Sequence, residues 1–147
     1  SDSFAAGTTP VIAAIEGLQL GMSICYDLRF PHLYRQLALD GAQILAVPAA
    51  FTKVSGVAHW HILLRARAIE TGCYVIAPAQ CGTHSDGRQT YGHAMIISPW
   101  GEILCEADDG DAVITAQLDI AKITAARRAI PSLNSNAIIG ATRSTGG

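Results

Sequence analysis

Leu20-Gly21-Met22-Ser23-Ile24-Cys25-Tyr26-Asp27-Leu28-Arg29-Phe30-Pro31 is the stretch that decides how this chain folds. An apolar run stops on a cysteine, and a proline-led amphipathic segment follows. The pattern predicts a strand, a tight turn and a helix. A cysteine on such a turn has its sulfur pushed out of the sheet. It also lies near a helix N-terminus, where free N–H groups and the dipole favour a thiolate. The arrangement suits a nucleophile with an oxyanion site beside it, and Tyr26 N–H is the natural first donor. A buried cysteine at a strand end is the competing reading of the same residues.

Working outward, residues 11–16 and 18–24 predict two strands joined by a turn at Glu16-Gly17. Residues 31–39 predict a helix: Leu33, Tyr34, Leu37 and Ala38 share one face, Pro31 suits the first helical position, and Gly41 ends it. Residues 43–47 read as a short buried strand stopped by Pro48, and 48–52 as the loop after it. Residues 57–71 carry the strongest helical period, with Val57, Trp60, Leu64 and Ala68 on one stripe and Gly72 as the stop. Residues 73–78 form the next apolar strand, and 80–92 read as a polar loop. Residues 93–98 and 102–106 flank Pro99-Trp100-Gly101 as a hairpin. Residues 112–118 predict a further strand, and Asp119 caps a last helix ending near Arg128, with Arg127 and Arg128 at its negative end. The fold class is α/β with a mixed sheet and helices packed on one side. Residues 1–131 read as one domain and 132–147 as a flexible tail.

Composition narrows the function. The chain has 147 residues, half of them hydrophobic and 15% charged, with a net charge of −2. It has no basic stripe, which argues against nucleic acid as a partner. No apolar run reaches the ~18 residues of a membrane span. The N-terminal residues have no positive region, so they do not read as a signal peptide. Cys25, Cys73, Cys81 and Cys105 make no C-x-x-C pair and match no zinc spacing, which fits reduced thiols in a cytoplasmic protein. No cofactor or metal is expected. A mean hydropathy of +0.29 is high for so small a domain. Its strands are therefore covered on both faces, or apolar surface is owed to another segment.

A nucleophilic Cys25 needs a base. The glutamates are Glu16, Glu70, Glu102 and Glu106 and the lysines Lys53 and Lys122, none placed beside the cysteine by local pattern. Glu70 reads as an ion-pair partner of Arg65 or Arg67, and Asp27 as a cap. His59 and His61 fall on different sides of a helix start, which is poor metal geometry. His84 and His93 read as loop residues. A self-sufficient Cys–His hydrolase using His59 or His93 is a weaker alternative. Arg29 is too close to Cys25 for a phosphatase loop. It reads equally as a fork onto a substrate carboxylate or onto Asp27. Phe51, Trp60 and Gln80 lie at strand ends or just after them, where active-site walls form in α/β folds. Core packing alone also accounts for Phe51 and Trp60.

Several segments together resemble the nitrilase superfamily of carbon–nitrogen hydrolases. They are Ser1-Asp2-Ser3-Phe4-Ala5-Ala6-Gly7, Gly21 through Pro31, Ala58-His59-Trp60, Leu64-Arg65-Ala66-Arg67-Ala68-Ile69-Glu70, Ala79-Gln80-Cys81-Gly82, Tyr91-Gly92-His93 and Pro99-Trp100-Gly101. The branch they resemble is the Nit-type amidases, which holds omega-amidases and deaminated glutathione amidases. Gln80-Cys81-Gly82 and Tyr91-Gly92-His93 point toward the latter.

The resemblance implies an α-β-β-α sandwich, of which this chain is half, paired sheet to sheet in a homo-oligomer. It implies a Glu–Lys–Cys catalytic set in which Cys25 matches the nucleophile. The matching Glu and Lys fall upstream of Ser1, so the chain resembles a C-terminal half whose partner is the missing N-terminal half. The implied reaction is hydrolysis of a linear amide of a small carboxylic acid through a thioester. The alternative is an inactive or split half serving as a binding or assembly module. The family often has Glu where this chain has His61.

Overall fold

Glu16 and Gly17 both adopt positive φ, 48° and 82°, and turn the chain between two antiparallel strands, β1 (Val11–Ile15) and β2 (Leu18–Met22). Positive φ at both central residues gives a two-residue turn the right-handed twist that a hairpin needs. The computed structural model describes residues 7–135. The resembling residues 1–6 and the tail beyond 135 lie outside the described residues.

After Met22 the chain enters a 3-10 turn, Cys25–Arg29, and then α1 (Pro31–Leu39), with Pro31 at its start. The tight turn expected at the cysteine is this 3-10 turn, and the helix expected over residues 31–39 follows it. β3 (Ile44–Ala46) follows. A continuous helical stretch then runs through α2 (Lys53–Ser55), a π-helical turn Gly56–Trp60 and α3 (His61–Thr71). It starts earlier than the apolar period suggests because Thr52 caps it, accepting from Ser55 N. β4 (Tyr74–Ala77), β5 (Cys81–Thr83), β6 (Gln89–Tyr91), β7 (Met95–Ile97), β8 (Ile103–Glu106) and α4 (Ile120–Ala129) complete the order.

Six strands form one mixed sheet in the order β1-β2-β3-β4-β7-β8. β2, β3 and β4 run parallel, and the flanking pairs are antiparallel. The stretch read as a polar loop instead holds the separate β5–β6 hairpin. Residues 112–118, expected as a strand, join no ladder.

α1 and α3 cover one face, where Leu37, Leu45, Leu64, Val75 and Met95 are fully buried. Gly21 makes this contact close: a Cβ there would lie 3.1 Å from Ala42 Cβ and 3.3 Å from Leu37 Cβ. The fourth helix departs from the one-sided expectation. Ile123 of α4 packs with Ile44 and Tyr74, whose side chains leave β3 and β4 opposite to Leu45 and Val75. Asp119 caps α4 by accepting from Ala121 N at 2.9 Å. Arg127 ties the helix down, donating from Nε to Thr71 O at 3.1 Å and from Nη2 to Ala42 O at 2.8 Å.

The first residues of the expected tail are held. Ser132–Asn134 form a 3-10 turn. Arg35 donates to the carbonyls of Ser132, Leu133 and Ser135 at 3.1, 3.4 and 2.9 Å, and Ser132 Oγ donates to Glu70 O at 3.0 Å.

Candidate active site

Cys25 sits where the parallel strands end. Ser23 N and Oγ both donate to Ala46 O, at 3.1 and 2.8 Å, which carries the β2–β3 contact past the strand end. Cys25 N then donates to Pro48 O at 2.8 Å. This grip holds Cys25 at φ 46°, a left-handed conformation in which a side chain is strained. Asp27 Oδ2 accepts from Ile24 N at 2.9 Å and closes the turn, so Asp27 is a cap and not a partner of Arg29.

The half-buried Cys25 opens onto a cleft of about 440 Å³ lined by Ile24, Pro48, Ala49, Ala50, Pro78, Ala79 and Gln80. These residues come from the C-terminal ends of β2, β3 and β4, the end at which α/β sheets present their sites. Continued pairing fixes the cleft walls: Ala49 N donates to Pro78 O at 3.0 Å and Gln80 N to Ala49 O at 2.9 Å. Among the described residues no group accepts from Tyr26 N–H, and none hydrogen-bonds to Cys25 Sγ. A backbone donor beside the sulfur is thus left open.

All four cysteines are free. Cys73 is fully buried, its Sγ donating to Ala42 O at 3.2 Å, and burial pushes its thiol up. That thiol is unsuited to nucleophilic attack.

The structure spreads the expected binding residues over different roles. Arg29 lies between two rings, 5.2 Å from the Phe51 centroid and 5.6 Å from the Tyr26 centroid, and its Nη1 is 3.3 Å from His59 Nδ1. No described carboxylate pairs with it. Gln80 is exposed on the cleft. Phe51 is buried beneath Arg29, packed on Trp60 at 4.9 Å. Trp60 needs correction as a ligand-contact residue. It is 1% exposed and donates Nε1 to His93 O at 2.8 Å, so it backs Phe51 within the core. His59 faces Arg29 and His93 faces carboxylates, so neither ring activates Cys25 here.

Sequence reasoning missed a second polar cluster. His61 Nε2 and His93 Nδ1 each lie 2.8 Å from Glu106 Oε1, and His93 Nε2 lies 3.0 Å from Asp109 Oδ1. Tyr91 stacks on His93 at 4.1 Å. Burial pushes the Glu106 carboxyl up, but hydrogen bonds from His61 and His93 outweigh it and hold the group below its usual range. Burial and then the Glu106 and Asp109 charges push the Tyr91 phenol up. His61 and Glu106 are 45 positions apart, so no local spacing announces the cluster. The reading of His61 as badly placed compared it only with His59, its neighbour on the same helix.

A cysteine held at a strained bend, facing a cleft at the ends of parallel strands, marks an α/β domain with a candidate site at its strand ends. The family model described as carbon-nitrogen hydrolase matches residues 1–128. The chain belongs to the carbon-nitrogen hydrolase family. It is 54% identical over 114 residues to the deaminated glutathione amidase of Synechocystis sp. (strain PCC 6803 / GT-S), covering 78% of this chain and 42% of that protein. Saccharomyces cerevisiae Nit3, a member of branch 10 of the nitrilase superfamily, superposes with a TM-score of 0.85 at 34% identity, covering 92% of this chain and 50% of that one. A mutant amidase from Nesterenkonia sp. AN1 superposes with a TM-score of 0.72 at 32% identity, covering 86% of this chain and 48% of that one. That structure shows covalent addition of the acetamide moiety of fluoroacetamide at its active-site cysteine. The chain spans less than half the length of the curated amidases it matches.

Proposed function

We propose that this chain is the nucleophile-bearing C-terminal part of an amidase acting on linear amides of small carboxylic acids, of the omega-amide or deaminated-glutathione type. The observation that carries the reading is Cys25 at φ 46° on its cleft beside the open Tyr26 N–H. In the proposed reaction a glutamate from outside residues 1–147 takes the Cys25 proton. The sulfur attacks the amide carbon, and Tyr26 N–H together with a lysine, also from outside, holds the oxyanion. Ammonia leaves with the returned proton and a thioester remains. Water then attacks the thioester, releasing the acid and restoring the thiol. The adduct in the Nesterenkonia amidase supports a cysteine as the bond-forming group.

Arg29 is assigned to the substrate's distal carboxylate. Its guanidinium has no acidic partner among the described residues and is positioned by Tyr26 and Phe51. Gln80 serves as a polar wall, and Phe51 with Trp60 supports Arg29 from below. The four free thiols favour a cytoplasmic setting. Among the described residues no helix is long and apolar enough to cross a membrane. Homo-oligomerisation and docking of a complementary half would cover exposed apolar residues such as Val54 and Ile62, which are 84% and 69% exposed.

Fluoroacetamide labelling followed by peptide mass mapping tests the nucleophile. The adduct is expected at Cys25 and is abolished in Cys25→Ala. Labelling confined to Cys81 or Cys105 would overturn the assignment. Ammonia release from a dicarboxylic monoamide, measured with the complementary half present, is expected to vanish in the same variant.

A further inference from the structure

The cluster of His61, His93 and Glu106 has the chemistry of a metal site. Its three ligand atoms lie within 4.8 Å of one another and come from three segments: the start of α3, the residue two before β7, and the end of β8. From this geometry we infer that His61 Nε2, His93 Nδ1 and the Glu106 carboxylate bind a divalent zinc-type cation, with Asp109 orienting His93.

Hydrogen-bond accounting favours a cation over a closed polar network. A neutral imidazole offers one N–H and one lone pair. Both nitrogens of His93 face carboxylate oxygens, Nδ1 to Glu106 at 2.8 Å and Nε2 to Asp109 at 3.0 Å. A neutral ring would therefore point one lone pair at an anion, and only a proton or a metal cation on that lone pair relieves the contact. A cation between Nδ1 and Glu106 converts that repulsion into two coordinate bonds and leaves Nε2–H to donate to Asp109. A carboxylate behind a ligating histidine is the usual means of fixing ring and tautomer.

Charge points the same way: two carboxylates face two imidazoles, which matches one divalent ion. Two nitrogens and one carboxylate suit zinc, with a further position left for water. Tetrahedral bonds of ~2.0–2.2 Å place ligand atoms roughly 3.3–3.6 Å apart, so the 2.8 Å contacts need to open by about 0.5–0.8 Å. Gly92 at φ 70° and His93 at φ 56° bend the chain so that the His93 ring turns toward Glu106.

The site would staple α3 to the β7–β8 hairpin. It stands beside a cleft of about 460 Å³ lined by His93, Gln80, Cys81 and Asp108. Gln80 also lines the Cys25 cleft, so the ion would stiffen a shared rim without touching the reacting sulfur.

Titration of the metal-stripped chain with Zn²⁺ by calorimetry, and with Co²⁺ by visible absorption, tests the proposal. One equivalent is expected to bind, with the d–d bands of a four- or five-coordinate Co²⁺ ion and a raised thermal midpoint. His61→Ala should abolish all three signals, and His84→Ala should leave them unchanged. Asp109→Asn, on an exposed side chain, removes only the orienting bond and should weaken binding by roughly 10–100-fold. Absence of Co²⁺ bands, or equal binding by the wild type and His61→Ala, would mean a hydrogen-bonded network and overturn the proposal.

Discussion

Arg67 grips the carbonyl oxygen of Leu28 with two nitrogens, Nε at 3.1 Å and Nη2 at 2.8 Å. Leu28 lies three residues after Cys25 in the same 3-10 turn, so a helix across the core holds the bend that presents the sulfur. Arg67 is 5% exposed, and its guanidinium pairs with Glu70 through Nη1 at 2.8 Å and lies 5.4 Å from the centre of the Tyr34 ring. Lysine cannot reproduce this fork. Arg67→Lys is expected to cost about 2 kcal/mol in denaturant unfolding, because Leu28 O loses a donor inside the core. The same variant should slow Cys25 labelling with fluoroacetamide, whereas a simple loss of packing elsewhere would leave the labelling rate alone.

The Tyr34 hydroxyl predicts an alkaline limit. Burial pushes its phenol from 10.0 to about 12, although Ser23 Oγ, 2.8 Å away, pulls it back. Its folded pKa lies above its unfolded one, so the protonated form is the one folding favours. Stability is therefore intact below pH 10 and falls as pH rises toward 12. The loss should reach on the order of 2 kcal/mol. Tyr34→Phe should flatten this part of the profile, read as the urea midpoint against pH. An unchanged slope would rule Tyr34 out as its source.

The strain at Cys25 predicts an inverted order among its substitutions. Glycine accepts φ 46° freely, whereas alanine does not. Cys25→Gly should therefore be more stable than Cys25→Ala by about 1 kcal/mol in chemical unfolding. The reverse order would show that the bend relaxes once the sulfur is gone.

Gly56 is the point of closest approach between the π-helical turn and β6. A Cβ there would fall 2.2 Å from Tyr91 Cβ and 2.3 Å from its ring. Gly56→Ala should cost about 1–3 kcal/mol by overpacking. It should also disturb the ring that stacks on His93, visible as a changed tyrosine signal in near-ultraviolet circular dichroism.

Arg29→Gln tests the assigned substrate contact. Loss of a charge-assisted fork worth about 1.5–3 kcal/mol should raise KM for dicarboxylic monoamides by roughly 10–100-fold. Hydrolysis of a simple alkyl amide should be little affected. Equal losses on both substrates would place Arg29 in the scaffold instead.

Local pattern carried most of the frame. Pro31 and Gly41 bracket α1, and Asp119 marks the start of α4, because caps and breakers act within a few residues. The β5–β6 hairpin hid in a polar stretch punctuated by Gly82, Gly87 and Gly92, since three-residue strands are too short to establish an alternation. The turn at Cys25 and the helix behind it could be placed from the strand–turn–helix pattern, but the 3-10 form of the turn and the positive φ of Cys25 could not. Trp60 shows the limit in the other direction: its period marks a buried stripe, and only the packing shows that the stripe lies behind the cleft. The His61–Glu106 contact arises from the lateral order of strands, which no window along the chain contains.

The clamp of Arg35 on the carbonyls of Ser132, Leu133 and Ser135 bears on where this polypeptide is safely shortened or joined to another protein. A boundary placed after Glu106, where the last strand stops, would discard α4, leaving Arg35 without its acceptors and the Thr71 and Ala42 carbonyls without Arg127. A tag or fusion attached beyond Ser135 keeps those anchors intact.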